Sequence, residues 1–288
     1  MGNPEGARAV NTEELDAPSS YSDVDNPARP QGEPSSYASA PSANNPAPGT
    51  SIYTKFPQKL NAYHQNKISR TFQLGVTRNQ PLFAVKFHSG LTSNPEVEVF
   101  DGPSDTYPLL ATARRKGLRG LNTIAMLPAS PRFGLPASTE LVKVEWGWGN
   151  NGTYRFSVEV DAGTASGKSK WRREAFEWRR SRGNEVRELT RWWSTGWKLV
   201  RLESRPEGAS GGGRAQRSDG VTSDGKEIVA VWAQNASLSM TKAFKMEFRG
   251  SAALGTLGER WEIMAVVTAL RLWVLARKRK RAARASAA

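Results

Sequence analysis

Cysteine is absent from the 288-residue sequence, and histidine occurs only twice, as His64 and His88. A disulfide scaffold, a thiol nucleophile, a cysteine-type zinc site and an iron–sulfur cluster are therefore excluded. Two imidazoles also cannot supply the three histidine ligands of many catalytic metal centres. His88 stands beside Ser89, but nothing in the pattern orients it as a catalytic base. We expect no catalytic residue, no metal ion, no cofactor and no enzymatic activity.

Apolar leader segments and lipidation signals are also lacking. The first residues carry no apolar run of the kind that directs secretion. Gly2 is followed at position 6 by a glycine, where a myristoylation motif needs serine or threonine. Together with the lack of cysteine, this predicts an intracellular protein, located in the cytoplasm, peripherally at the inner membrane surface, or in the nucleus.

Large apolar side chains are few at the N-terminus. Residues 1–50 contain 8 of the 17 prolines and only four residues of the types Val, Leu, Ile, Met, Phe and Trp. Such a segment cannot bury enough apolar surface to offset the entropy lost on ordering. We therefore predict a disordered Pro/Ser-rich tail over residues 1–52, a folded domain over 53–281 and a short tail over 282–288.

Charge is distributed unevenly along the chain. The sequence has 41 Lys and Arg against 27 Asp and Glu, a net charge of +14. Residues 1–50 hold two arginines and seven carboxylates, which leaves +19 for residues 51–288. A body this basic is expected to attract an anionic partner such as a membrane surface or a nucleic acid.

From residue 70 onward the dominant sequence period is two. Phe72, Leu74 and Val76 alternate with polar residues or glycine, and Tyr154 and Phe156 begin a second such row. This alternation is typical of antiparallel strands with one solvated face. It predicts eleven strands, at residues 71–76, 82–87, 96–100, 109–114, 121–127, 142–148, 153–160, 174–180, 197–203, 226–233 and 244–249.

Turn residues support this count. The glycines and asparagines at 149–152 separate two alternating runs and predict a hairpin, and residues 182–184 predict another. No helical pattern of 10 to 15 residues alternates with the strands, which argues against a parallel α/β sheet. The sequence therefore predicts a mainly β, antiparallel domain.

Residues 258–281 break the strand pattern. Apolar residues cover nearly every face of a helix here, with Thr268 and Arg271 as the main exceptions inside the run. A helix that is apolar all round is buried, in a membrane or in a protein. Its longest uncharged stretch, residues 263–270, is far shorter than the roughly 20 residues of a membrane span. Arg271 would also cost about 2.5 to 3.5 kcal/mol near the bilayer centre.

Burial inside the protein is the better alternative for this helix. Sixteen helical residues rise about 24 Å, which matches strands of about eight residues at about 3.3 Å each. A closed barrel of about 12 strands has an interior too wide for its own side chains to fill. We therefore predict a closed antiparallel barrel around a central hydrophobic C-terminal helix. Arg271 would then need an inward carboxylate or a route to the barrel mouth.

The order of these elements resembles the tubby C-terminal-like superfamily, which includes tubby proteins, LURP-one-related proteins and phospholipid scramblases. Residues 174–178, 196–201, 225–232 and 258–273 are similar to those of uncharacterised fungal members. The resemblance covers roughly residues 60–280 and implies a twelve-stranded barrel around its C-terminal helix. It also implies lipid binding, because tubby proteins bind phosphoinositide headgroups through basic residues. The palmitoylated cysteines of scramblases have no counterpart in this chain.

The segment 168–182 is the strongest candidate binding surface. Arginine pairs bidentately with phosphate, and tryptophan favours the half-wet membrane interface, so the combination suits lipid headgroups or a nucleic-acid backbone. The alternative is that Trp178 and Trp197 belong to the core and the arginines form a solvated face. The candidate binding residues are Lys168, Lys170, Arg172, Arg173, Arg179, Arg180, Arg182, Trp192 and Trp193.

A second basic run follows the apolar helix directly. Each such residue near an anionic leaflet contributes about 1 kcal/mol, although the run could also serve as a nuclear import or nucleic-acid signal. It could simply solubilise the end of the helix, where cations also favour the dipole. The candidates are Arg277, Lys278, Arg279, Lys280 and Arg281.

Residues 162–169 form a relaxed phosphate-loop motif, with Ala162 in place of the first glycine and Lys168 as the cation. The alternating strand before it argues for a flexible hairpin loop instead. The sequence thus predicts a non-enzymatic protein that binds anionic membrane lipids, with no small-molecule substrate identified. Nucleic-acid or nuclear partner binding is the alternative, and a nucleotide-binding enzyme that uses this loop is the second.

Overall fold

A computed structural model describes most of the chain after residue 54. The described residues are 55–64, 71–89, 93–117, 122–131, 134–146, 152–165, 168–190, 195–203, 220–234 and 242–287. The predicted acidic tail at 1–52 lies outside them.

Twelve antiparallel strands form a closed barrel, in which each strand pairs with its neighbours in the chain and the last pairs with the first. The predicted fold class is confirmed. The strands are β1 (Lys59–His64), β2 (Thr71–Thr77), β3 (Gln80–Phe87), β4 (Val97–Phe100), β5 (Leu109–Lys116), β6 (Asn122–Leu127), β7 (Ser138–Trp146), β8 (Gly152–Ala165), β9 (Lys168–Ser181), β10 (Gly196–Arg201), β11 (Glu227–Gln234) and β12 (Lys242–Phe248).

The strand that the sequence pattern did not reveal is β1. Its inward row contains Leu60 and Ala62, of which only the first is large, so the alternation is weak. Its position is determined by pairing with β12 and β2, which lie far from each other in the sequence.

The predicted central helix is confirmed as α3 (Glu259–Ala285), and its residues from Arg260 to Val274 are all buried. Fifteen helical residues span about 22 Å, which is close to the length of the strands around them. Trp261 packs against Phe176 and Phe248, and Trp273 packs against Phe72. The helix ends at residue 285 and not at the predicted 281, because the alanines that follow are the best helix formers.

Two polar side chains inside the barrel have identified partners. Arg271 Nη2 lies 2.6 Å from Glu96 Oε2, and both residues are buried. Glu96 is thus the inward carboxylate that the sequence argument required. Thr268 Oγ1 accepts a hydrogen bond of 2.9 Å from Trp178 Nε1 and donates to a backbone carbonyl of its own helix.

The connection after β9 differs from the prediction. A hairpin was expected at 182–184, but the chain instead forms α1 (Asn184–Thr190) before it returns as β10. Val186 of α1 is fully buried. Both α1 and a short helix, α2 (Gly250–Ala253), pack on β11. This outer cover explains why β11 is almost entirely buried on both faces.

The barrel has two distinct ends. α3 begins near Asp161, whose backbone N–H donates to Leu257 O at 3.2 Å, and this side is called the entry end. At the other side, called the exit end, α3 leaves the barrel and Lys280 reaches Gln234, the last residue of β11. Odd-numbered strands finish at the exit end because neighbouring strands are antiparallel. Within the described part of the chain, no helix has the length and hydropathy needed to span a bilayer.

Candidate functional site

Exposed cations are concentrated at the exit end. They come from the ends of several strands and from the part of α3 that projects beyond the barrel. They include Arg114, Arg115, Lys116, Lys143, Arg155, Arg180, Arg182, Arg279, Lys280, Arg281 and Arg284.

The carboxylates nearest to this end are already engaged. Glu96 pairs with Lys278 as well as with buried Arg271. Glu98 lies 2.8 Å from His88 Nε2, and Glu145 lies 3.9 Å from Arg155. The positive charge at the exit end is therefore largely uncompensated.

The predicted C-terminal candidates divide into packed and exposed residues. Arg277 is half-buried, with its guanidinium 5.3 Å from the centre of the Phe72 ring and 5.2 Å from that of Trp273. Burial lowers the pKa of Arg277. Arg279 contacts the Tyr154 hydroxyl at 3.5 Å. Arg277 and Lys278 therefore hold α3 at the barrel mouth through contacts with the barrel, whereas the side chain of Arg281 is exposed.

Three of the arginines predicted on β9 form ion pairs. Arg172 and Arg201 both bind the fully buried carboxylate of Glu174. Burial favours the neutral form of Glu174, but the hydrogen bonds from Arg201 and Arg172 outweigh it and lower its pKa. Glu174 was counted in the sequence as an opposing charge near Arg172, but its second partner, Arg201 on β10, could not be read from the β9 segment.

Arg179 is also neutralised by its neighbours. Its guanidinium lies 2.8 Å from Asp224 and 2.7 Å from Glu177. Burial disfavours its charge, but the hydrogen bonds to Asp224 and Glu177 outweigh burial and raise the pKa of Arg179. Because Asp224 lies on the turn before β11, this pairing could not be read from the chain order.

Arg173 closes a gap in the barrel wall. β7 and β8 pair only between residues 143–146 and 152–155, so their entry halves separate. Arg173 bridges the gap by binding Glu140 of β7 and, at 2.6 Å, Glu159 of β8. The hydrogen bond to Glu140 raises the pKa of Arg173 against the effect of burial. Arg260 of α3 completes this network, with its Nε 3.2 Å from Glu159.

We expect Arg173→Ala to destabilise the barrel by about 3 kcal/mol, because it leaves the buried Glu140 carboxylate without its cation. Urea denaturation followed by circular dichroism measures this change. Arg155→Ala is the matched control, since its partner Glu145 is exposed and 3.9 Å away, and it should cost less than about 1 kcal/mol. Equal stability of the two variants would contradict the role assigned to Arg173.

Arg180 and Arg182 remain as the unpaired arginines of β9 and its end. Both are exposed, and neither forms an ion pair with any described residue. Arg180 continues the inward row of Phe176 and Trp178 to the barrel rim. With Gly152 and Thr153 the two arginines line an open depression of about 440 Å³ that has no carboxylate in its lining.

Trp146 was missed as a candidate. It continues the inward row of Val142 and Val144, and the alternation alone therefore placed it in the core. It is the last residue of β7, so its ring lies beyond the packed interior and is 52% exposed. Gly152 faces it across the strand pair, and a Cβ at Gly152 would lie 3.3 Å from the indole. The signal that could have found it is the position of a tryptophan at a strand end.

Four predicted residues cannot be placed in the site. Trp192 and Trp193 lie outside the described residues. Lys168 and Lys170 begin β9, but their side chains are likewise outside what the structure describes.

The candidate nucleotide loop at 162–169 is the end of a hairpin. Thr164 pairs with Ser169 and Ala165 with Lys168 across antiparallel strands β8 and β9. A phosphate loop instead leads from a strand into a helix, whose N-terminus contributes to binding. Here a strand, β9, follows the loop, so the helix N-terminus that a nucleotide-binding loop uses is missing at this place.

No group of three or more His, Asp or Glu side chains in the described part of the chain is arranged to hold a metal ion. Comparisons with protein-family models, curated proteins and solved structures give no match.

Proposed function

We propose that this protein is a non-enzymatic, membrane-associated barrel of the cytoplasmic side that binds anionic lipids at its exit end. The observation that carries the proposal is the group of exposed arginines without ion-pair partners among the described residues, next to an exposed tryptophan. These are Arg180, Arg182, Arg281, Arg284 and Trp146.

The chemistry of this surface suits a lipid headgroup layer. Arginine forms bidentate hydrogen bonds with phosphate, and an indole ring favours the interface between headgroups and acyl chains. Trp146 projects at the same end as the cations, so one surface can engage both layers. α3 would stand with its C-terminal end toward the membrane.

The resemblance to the tubby C-terminal-like superfamily is consistent with this proposal. Its expected arrangement, twelve strands around a C-terminal helix, is also the arrangement of this barrel. We accordingly propose membership of that superfamily, with phosphoinositides as one anionic lipid to be tested.

Liposome flotation tests the proposal. Wild-type protein should float with phosphatidylcholine vesicles that contain phosphatidylserine or a phosphoinositide, and not with phosphatidylcholine alone. The variant R180Q/R281Q should bind roughly 30-fold more weakly, since two cations contribute about 2 kcal/mol near an anionic surface. W146A should also reduce flotation.

The matched control is K59Q/R78Q, which removes the same charge from exposed residues at the entry end. It should float as the wild type does. Equal losses in the two double variants would mean that net charge alone causes binding and would refute an exit-end site. Failure of the wild type to float with any anionic vesicle would refute lipid binding altogether.

Nucleic-acid binding stays a prediction that shares the same cations. It would appear as DNA or RNA affinity that falls steeply and linearly with the logarithm of salt concentration. An affinity that does not change with salt concentration would rule out nucleic-acid binding through these cations.

A further inference from the structure

The N-terminal part of the chain has its charges arranged in a block. Residues 9–28 contain five carboxylates and no lysine, arginine or histidine, whereas residues 34–54 contain no charged residue at all. We call residues 9–28 the acidic block. An uncharged spacer therefore separates most of the negative charge from the barrel. The five carboxylates are those of Glu13, Glu14, Asp16, Asp23 and Asp25.

The point at which this segment joins the barrel is fixed at the entry end. The backbone N–H groups of Lys55 and Phe56 donate to buried Glu262 at 2.5 and 3.1 Å. Lys55 Nζ also lies 2.7 Å from Asp101, and the Phe56 ring centre lies 4.5 Å from that of Phe83. The acidic block therefore extends from a defined place, opposite the cationic exit end.

Cations close to this joint are already paired. Lys55 is held by Asp101, and Arg249, which follows β12 at the entry end, lies 2.7 Å from Glu188. At the exit end, the open depression of about 440 Å³ has no carboxylate in its lining. The exposed arginines there form no ion pair with any described residue, so the exit end is the better partner for an acidic segment. They are Arg180, Arg182, Arg281 and Arg284.

The length of the chain suits a contact between the acidic block and the exit end. From Asp25 to Lys55 the linker has 30 residues, and its composition is typical of a flexible chain. Such a linker has a root-mean-square end-to-end distance of about 30 Å. The buried part of α3, which runs between the two barrel ends, spans about 22 Å. Because the effective concentration is highest when linker length matches the span, the geometry favours docking within one chain.

We propose that the acidic block docks on the exit-end arginines of its own chain and competes there with anionic lipid. An anionic leaflet offers many more charges than the five carboxylates, so a leaflet rich in anionic lipid displaces the block. A leaflet with little anionic lipid does not. The tail thereby sets a threshold of membrane charge for binding. This regulation rests on the proposed lipid function, whereas the contact within the chain does not.

A spin label in the acidic block tests the contact without any lipid. Since the chain has no cysteine, Ser20→Cys gives one site for a nitroxide. In NMR spectra of the full chain at low salt, the label should broaden the amide signals of Gly152 and Thr153 at the exit end more than that of Gln80 at the entry end. An undocked tail would give the opposite order, because its attachment at Lys55 keeps it nearer to the entry end.

The controls separate this contact from other causes of broadening. R180Q/R281Q should abolish the broadening at Gly152, and K59Q/R78Q, which removes the same charge at the entry end, should keep it. A concentration of 1 M NaCl should abolish it as well, because the screening length falls to about 3 Å. Stronger broadening at Gln80 than at Gly152 would overturn the proposal. Broadening of an unlabelled, isotope-enriched chain by a labelled chain in a mixed sample would show a contact between copies and would also overturn it.

Flotation with phosphatidylserine vesicles tests the competition. E13Q/E14Q/D16N/D23N/D25N should bind roughly tenfold more tightly than the wild type, because several exposed ion pairs no longer compete. The same five substitutions should bring no gain in R180Q/R281Q, where their partners are missing. An equal gain in both backgrounds would attribute the effect to net charge and refute the competition. If the wild type fails to float although the label broadens Gly152, the contact within the chain stands and the lipid function falls.

Discussion

A chain that ends at Gly258, and so lacks α3, should fail to fold. The helix supplies nine large apolar side chains to the core: Trp261, Ile263, Met264, Val266, Val267, Leu270, Leu272, Trp273 and Val274. Burial of each is worth about 1.5 to 3 kcal/mol, so together they contribute about 14 to 27 kcal/mol, which equals or exceeds the total stability of a typical domain, about 5 to 15 kcal/mol. Twelve strands cannot fill the space that α3 leaves. Circular dichroism should show no cooperative thermal transition.

The matched control is a chain that ends at Lys278, which keeps the buried helix and the contact with Glu96. It should melt cooperatively, close to the wild-type Tm, and should lose part of its affinity for anionic vesicles. A soluble, cooperatively melting chain that ends at Gly258 would disprove the role of α3 as the core of the barrel.

The second large effect is a fall in stability between pH 4.5 and pH 8 that depends on Glu262. This carboxyl is buried at the entry end, where Oε2 accepts the backbone N–H groups of Lys55 at 2.5 Å and Phe56 at 3.1 Å. Burial raises its pKa from 4.5 to about 8, although the two N–H donors act in the opposite direction. The folded protein therefore holds a proton here that the unfolded chain releases.

The direction in which stability changes with pH follows from this difference in proton binding. Between pH 4.5 and pH 8 the folded state binds more protons than the unfolded state, so the free energy of unfolding decreases as pH rises. The contribution is fully present below the unfolded pKa and is lost above about pH 8. One pKa unit corresponds to about 1.4 kcal/mol, so the rise from 4.5 to about 8 corresponds to a total change on the order of 5 kcal/mol.

The variant Glu262→Gln separates the pH dependence caused by Glu262 from that caused by other titrating groups. The amide oxygen can still accept the two N–H groups, and it carries no charge at any pH. Urea denaturation at several pH values should give a flatter profile, with the variant more stable than the wild type at pH 9. Glu145→Gln, at an exposed residue, should keep the wild-type profile. An unchanged slope in Glu262→Gln would show that this carboxyl is not the titrating group.

Periodicity predicted the barrel because its physical cause is local. Alternation along each strand and the all-round apolarity of α3 follow from side chains that neighbour one another in sequence. Where the local signal is weak, prediction failed. β1 has a single large inward residue, Leu60, and α1 has only Val186 and Thr190 as buried residues. These short elements form because the rest of the barrel packs against them.

The candidate site was predicted only in part, because ion pairs form between side chains on different strands that are distant in the sequence. Arg173 and Glu140 are 33 residues apart, and Arg179 and Asp224 are 45 residues apart. Counting charges along β9 therefore overestimated its free arginines. Arg180, Arg182 and Arg281 are the predicted residues that are exposed and form no ion pair with a described residue, which agrees with a binding role.

The position of α3 after all twelve strands has a consequence for biosynthesis. At roughly 5 to 20 residues per second, about 200 residues from β1 to Gly258 require roughly 10 to 40 s of translation. Throughout that time the inward rows of the strands have no helix to cover them. β1 must also wait for β12 before the barrel can close. The nascent chain should therefore be a strong client of ribosome-associated chaperones, and it should fold only after α3 has left the ribosome.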